Sequence, residues 1–207
     1  MSLTLFVDGY FANPFDATVF IALTEKQLAF NVARALLRDG QGLPAGLSIR
    51  TAISRVPALQ HGDFLLTESI AIADYLDSMF PERPIFPSDP RGRARALQIM
   101  AWVRTDLGAM RWERPWFTTL WPVPLPALSA SAVREAIELV DVVGRLLDQG
   151  DLETWNIAHA DLALTLARVR STDIDIPERV AAFKARTYAH PSVRAYIDHP
   201  RPPHPPP

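Results

Sequence analysis

Apolar and polar residues alternate weakly from Leu3 to Val7, a period-two pattern that predicts a strand. The pattern breaks at Phe11-Ala12-Asn13-Pro14-Phe15. There Asn13 reads as a helix N-cap and Pro14 as the first helical residue, where a missing N–H costs nothing. Ala17, Phe20, Ile21 and Leu28 then recur near the helical period, and residues 30–33 offer a second strand. Three glycines and a proline in residues 39–46 predict a mobile loop. Val56-Pro57-Ala58-Leu59 enters another strand, His61-Gly62-Asp63 supplies turn chemistry, and Phe64-Leu65-Leu66 resumes the extended run. A hairpin therefore feeds a helix that opens on Glu68-Ser69. Pro57 cannot donate to a ladder, so it belongs at a strand edge or end, leaving neighbouring backbone groups for a ligand. The first N–H groups of the helix sit at the positive end of its dipole and suit a carboxylate.

The second half has a different texture. Pro81, Pro84, Pro87 and Pro90 recur every third residue, a spacing that forbids regular helix and favours an extended connector. Beyond it Leu97, Met100 and Ala101 share a helical face, and Val133, Ala136, Ile137, Val140, Val143 and Leu147 form a stripe closed by Gly150. Asn156 caps a heavily apolar helix running through Leu162, Leu164 and Leu166. The expected organisation is an α/β domain over residues 1–80, a linker over 81–90, an all-α domain over 91–200 and a solvated proline-rich tail over 201–207.

With 48% hydrophobic residues, the 207-residue chain can bury a substantial core. A net charge of −2 supplies no basic field for nucleic acid or anionic lipid. No cationic leader or apolar run of about 20 residues points to a membrane, so cytoplasmic residence is expected. The five histidines lack ligand spacing, so no metal is expected. Cysteine is absent, which excludes a protein thiol as nucleophile; thiol chemistry, if present, uses a bound partner's sulfur.

Strand, helix, strand, hairpin and helix, ending near Met79, is a thioredoxin-like order. Within it a basic residue, Val-Pro, a hairpin, Glu-Ser and then Ala71-Ile72-Ala73-Asp74-Tyr75-Leu76 resemble the glutathione-binding segment of the glutathione S-transferase superfamily. The resemblance covers nearly the whole chain. In the helical half it narrows to a YfcF-like bacterial branch, through Arg93-Ala94-Arg95-Ala96-Leu97-Gln98-Ile99, Ala101-Trp102-Val103-Arg104-Thr105-Asp106-Leu107 and Glu113-Arg114-Pro115. It implies a thioredoxin-like domain followed by a helical bundle, glutathione as co-substrate, and a homodimer. It implies that the Val56 backbone pairs with the cysteinyl part of glutathione, that Glu68 and Ser69 hold the γ-glutamyl end, and that Arg55 approaches the glycyl carboxylate. In the capping box at Asn156, the family usually places Asp where this chain has His159.

The family's thiolate donor stands at the start of the first helix, a position filled here by Asn13. A free thiol of pKa about 8.5 is only a few per cent ionised near neutrality, so a donor aimed at sulfur matters. An amide N–H can donate to a thiolate but cannot accept its proton, which leaves thiolate stabilisation without general-base help. Helix capping is the alternative role for Asn13, and Tyr10 is a rival donor. Trp112, Trp116, Phe117 and Trp121, studded with prolines, either line a pocket for an apolar co-substrate or fill a core or subunit contact. Phe11, Arg111 and Trp116 are the candidates for that pocket. Arg104 and Arg111 either face it or pair with Asp106 and Glu113. Three functions remain open: a glutathione transferase or glutathione-dependent peroxidase, a non-catalytic binder of the same fold, and an isomerase using glutathione as cofactor.

Overall fold

A computed structural model describes residues 2–35, 53–170 and 172–203; the loop expected over 39–46 lies outside them. The chain forms two compact units, one of residues 1–85 with 195–207, the other of residues 86–194.

In the first unit β1 (Leu3–Asp8) leads to α1 (Pro14–Glu25), then β2 (Phe30–Ala35), β3 (Ala58–His61), β4 (Phe64–Thr67) and α2 (Ser69–Met79). The strand order is β2-β1-β3-β4. β1 runs parallel to β2, with Asp8 opposite Ala35, and antiparallel to β3, with Phe6 opposite Ala58. β3 and β4 make the hairpin, Ala58 facing Thr67, and Gly62 supplies the positive φ of 61° its turn requires. Asn13 caps α1 through Oδ1, which accepts the Phe15 N–H at 3.0 Å, with Pro14 at the first turn as expected. α1 is buried from Asp16 through Leu23, apolar nearly all round rather than striped.

The second unit is helical: α3 (Pro90–Thr105), α4 (Gly108–Glu113), α5 (Phe117–Leu120), α6 (Ala130–Asp148), α7 (Ile157–Leu166), α8 (Glu178–Ala189) and the start of α9 (Pro191–Ile197). Asp89 and Ser129 cap α3 and α6. Every residue of α7 is buried, and α3, α6 and α8 pack around it. Because Asp161 on α7 is buried, it requires a cation, and Arg104 of α3 supplies it. Arg104 therefore answers Asp161 from another helix rather than Asp106. Glu113 accepts both the N–H and the hydroxyl of Ser129, which hold its carboxyl below the usual range. The stripe on α6 divides: Ala136, Val140 and Val143 are buried, whereas Ile137 is 44% exposed. With Val133, Leu128 and Ile174, Ile137 lines a groove of about 620 Å³.

At α7 the structure supplies the back-bond that sequence could not assign. His159 Nδ1 accepts the Asn156 N–H at 3.3 Å, and its Nε2 lies 3.2 Å from the Leu152 carbonyl, an arrangement that fits the neutral Nε2–H tautomer. Burial, helped by nearby His190 and Arg186, holds His159 below its ordinary pKa. Below about pH 6.5 the unfolded chain therefore takes up a proton that the folded one refuses. Stability falls through the window between that value and the lower folded pKa, by up to about 1.4 kcal/mol per pH unit. His159→Gln keeps an acceptor for Asn156 without a titratable ring. Urea midpoints measured from pH 7 to 5 should fall less in this variant than in wild type; parallel slopes would refute the account.

Candidate functional site

The sheet brings the expected site together at one end. β4 is antiparallel to β3, and β3 to β1, so β4 runs parallel to β1. The chain leaves both β1 and β4 at the same sheet end, entering α1 through Asn13 and α2 through Glu68. β3 starts at that end too, directly after Val56-Pro57, a cis peptide. Asn13, Val56, Glu68 and Ser69 therefore border one edge of the first unit. β1 and β4 lie two strand spacings apart, about 10 Å. An extended tripeptide spans about the same distance.

This edge favours anions, because the positive ends of α1 and α2 both face it. Asp16, in the first turn of α1, is fully buried, and its charged form is disfavoured there. Burial and then the neighbouring Asp8 carboxylate raise its pKa well above the ordinary value, even though its Oδ2 accepts the Asp8 N–H at 2.8 Å. The Asp8 carboxylate in turn accepts the Tyr10 and Ala12 N–H groups, each at 2.8 Å, and shapes the turn before Asn13. Asn13 uses Oδ1 for the cap, so Nδ2 is the part of the amide left to donate elsewhere. Capping and donation to a thiolate therefore do not compete.

At the second helix Glu68 holds φ 72° and ψ 111°, unusual for a residue with a Cβ, and its side chain makes no cap bond to α2. Ser69 is buried at the first turn of α2, and Val56 is buried two positions before the start of β3. Arg55 forms an exposed ion pair with Glu68 at 3.3 Å, so these two candidates occupy each other. Backbone strain of this kind costs about 1–3 kcal/mol. Glu68→Gly relieves it, so chemical denaturation should show a higher midpoint while calorimetry shows weaker glutathione binding. A variant with lower stability and unchanged affinity would refute the assignment.

The three pocket candidates are placed differently. Phe11 is 0% exposed; its ring packs edge-on against Phe20, Tyr196 and His199, so it presents no apolar wall to a co-substrate. Trp116 is buried in the helical unit with the Arg168 guanidinium 5.8 Å from its ring, and burial pushes Arg168 down to about 10. Arg111 donates to the backbone carbonyls of Arg104 and Val103, while burial and then Arg104 lower its pKa. Sequence reasoning passed over Asp8, Asp16, Tyr196 and Arg201. A signal existed for the first two: an acid ending an apolar strand, and another in the first turn of an apolar helix.

Comparison with known proteins agrees with this architecture. Residues 1–78 match the family model described as glutathione S-transferase, N-terminal domain, and residues 89–200 the one described as glutathione S-transferase, C-terminal domain. The chain belongs to the glutathione S-transferase family. It is 30% identical over 155 residues to human glutathione S-transferase theta-1, covering 74% of this chain and 64% of that protein. The bovine theta-1 enzyme is 30% identical over 171 residues, 78% of this chain and 70% of the relative. The chain thus spans about two thirds of these relatives' length. A glutathione transferase homolog from Burkholderia GL BGR1, solved with bound glutathione, is 30% identical with a TM-score of 0.78, covering 95% of this chain and 97% of that one. As a glutathione S-transferase family member, the chain presents at its sheet edge two helix N-termini and an amide donor. Among the described residues there is no helix long and apolar enough to cross a membrane, and no group of three or more His, Asp or Glu side chains placed for a metal ion.

Proposed function

We propose that the protein binds glutathione along the sheet edge, stabilises its thiolate and delivers the sulfur to an electrophilic carbon or to the oxygen of an organic hydroperoxide. The observation that carries this reading is the convergence of Asn13, Val56, Glu68 and Ser69 at one sheet end under two helix N-termini. Val56 offers its backbone to the cysteinyl unit, Ser69 its N–H and hydroxyl to the γ-glutamyl carboxylate, and Glu68 its charge to the ammonium. Arg55, once it leaves its exposed pair with Glu68, meets the glycyl carboxylate. Asn13 Nδ2 donates to sulfur.

The thiol proton leaves to solvent, since an amide cannot take it. In conjugation the thiolate forms a C–S bond as a leaving group departs or a double bond accepts the electron pair. In peroxide reduction it attacks oxygen and the O–O bond breaks, giving alcohol and a sulfenic acid, which a second glutathione converts to disulfide and water. Without a base, the reduction of a good oxidant is the better match to Asn13, and we place the chain in the YfcF-like branch on its helical-half motifs. The glutathione-binding role falls to residues 1–80 and the co-substrate side to residues 91–200. A cytoplasmic homodimer that needs no metal, membrane or nucleic acid completes the reading.

The missing general base also favours a second reading, a non-catalytic glutathione binder. Calorimetric titration with glutathione and assays with an organic hydroperoxide and an aryl halide separate them. Binding with turnover supports the enzyme, binding with neither activity supports the binder, and no binding by folded protein refutes both.

A further inference from the structure

Arg201 lies in the proline-rich run read from sequence as a solvated tail, yet its side chain is anchored in the first unit. Nε donates to the Phe11 carbonyl at 3.0 Å. Nη1 donates to the carbonyls of Ile197 and His199, both at 2.9 Å, and Nη2 to that of Tyr196 at 2.7 Å. The guanidinium carbon also sits 4.6 Å from the Tyr196 ring centroid and 5.5 Å from that of Phe11. The Tyr196 hydroxyl donates to the same Phe11 carbonyl at 3.3 Å.

That carbonyl belongs to the residue two positions before Asn13. Phe11 has φ 52°, in the left-handed region that a side chain with a Cβ disfavours. Its N–H is tied to the Asp8 carbonyl at 3.0 Å, and its ring is packed on three sides. The backbone between Phe11 and Asn13 is thus held from the Asp8 side by carboxylate and carbonyl, and from the other side by Arg201 and Tyr196. Without the Arg201 side, Phe11 is freer to relax its φ, and that rotation is passed along the two peptides leading to the Asn13 amide.

We infer that Arg201 is a positioning residue: by fixing the Phe11 carbonyl it aims Asn13 Nδ2 at the glutathione sulfur. The inference rests on the thiolate role proposed above for Asn13. A guanidinium near an anion site also acts by charge alone, and the two effects separate in Arg201→Lys. Lysine keeps the charge but loses the planar fork that reaches carbonyls on both sides.

The test is an ultraviolet titration of the thiol in the glutathione complex, with affinity by calorimetry, for wild type, Asn13→Ala, Arg201→Ala, Arg201→Lys and the Asn13→Ala/Arg201→Ala double variant. Retained affinity in an Arg201 variant reports that the first unit is folded, because the anchors at Val56, Glu68 and Ser69 do not involve Arg201. The expected result is a rise of up to about one unit in thiol pKa for both Arg201 variants. The double variant is expected to show no further rise over Asn13→Ala, because both changes remove one interaction. An unchanged pKa in Arg201→Ala, a wild-type pKa in Arg201→Lys alone, additive shifts, or loss of affinity in both Arg201 variants each overturns the positioning role. If Asn13→Ala itself leaves the pKa unmoved, the thiolate reading falls and the positioning role falls with it.

Discussion

Asn13→Ala should slow glutathione-dependent turnover at neutral pH by about threefold, yet overtake wild type in alkali. A hydrogen bond to a charged acceptor contributes about 1.5–3 kcal/mol. Converted at 1.36 kcal/mol per unit, its loss raises the thiol pKa by about 1–2 units. A thiol returning to a pKa of about 8.5 is still a few per cent ionised, so the thiolate population at neutral pH falls by about eight- to twenty-fivefold. Part of this is returned, because a more basic thiolate is more nucleophilic, with a Brønsted slope of about 0.4–0.5. Above both pKa values only the returned part survives, and the variant is the faster enzyme. The pH profile of kcat/KM for an organic hydroperoxide therefore shifts its acid limb to higher pH and crosses the wild-type curve. Glutathione affinity should change little, since the peptide ends are held elsewhere. A uniform loss at every pH would mean that Asn13 supports the fold of the turn and does not address sulfur.

The features legible in sequence are those whose cause is local. Asn13-Pro14 and Asn156 each announce a helix start by a cap that acts within three residues, whereas Pro90, read as the end of an extended connector, opens α3 behind the Asp89 cap. His61-Gly62-Asp63 marks its turn because one glycine must take positive φ. Glu68-Ser69 is visible because a hairpin and an apolar helix bracket it. The convergence of these pieces at one sheet end then follows from strand direction alone, β1 and β4 being parallel through β3.

The features that sequence left hidden depend on partners far along the chain. Arg104 meets Asp161 across 57 positions, while the expected near neighbour Asp106 accepts the Thr105 hydroxyl. Arg201 reaches Phe11 across 190 positions, and no composition rule distinguishes it from a solvated arginine in a polyproline run. Asp16 stands in the first turn of α1, and its burial beside Asp8, which raises its pKa, depends on the folded packing. His159 departs from the usual acidic residue of a capping box, but its neutral Nδ1 accepts the same N–H. In each case chemistry was written in the residue type, and its use was set by packing.

The same distinction predicts the largest loss of stability. Lys26, the residue closing α1, is buried with its Nζ 2.8 Å from the carbonyls of Phe80 and Arg83 and 3.1 Å from Asp77 Oδ1. The Lys26 and Asp77 side chains are 1% and 7% exposed, and Asp77 Oδ1 also accepts the Ile85 N–H at 2.8 Å. One ammonium thus ties α1 to the end of α2 and to the segment that follows it. Lys26→Met removes the cation and leaves a buried carboxylate with two unmet carbonyls, a change that costs about 3–5 kcal/mol. Against a typical total of about 5–15 kcal/mol, that is enough to unfold a marginal domain. Urea denaturation of the variant should show the midpoint falling accordingly. Lys26→Met/Asp77→Leu removes the buried carboxylate as well and should regain part of the loss, because the single variant's cost lies mostly in taking the ammonium from that carboxylate. A double variant no more stable than the single one would place the cost in the Phe80 and Arg83 carbonyls, making Lys26 a backbone clamp rather than half of an ion pair.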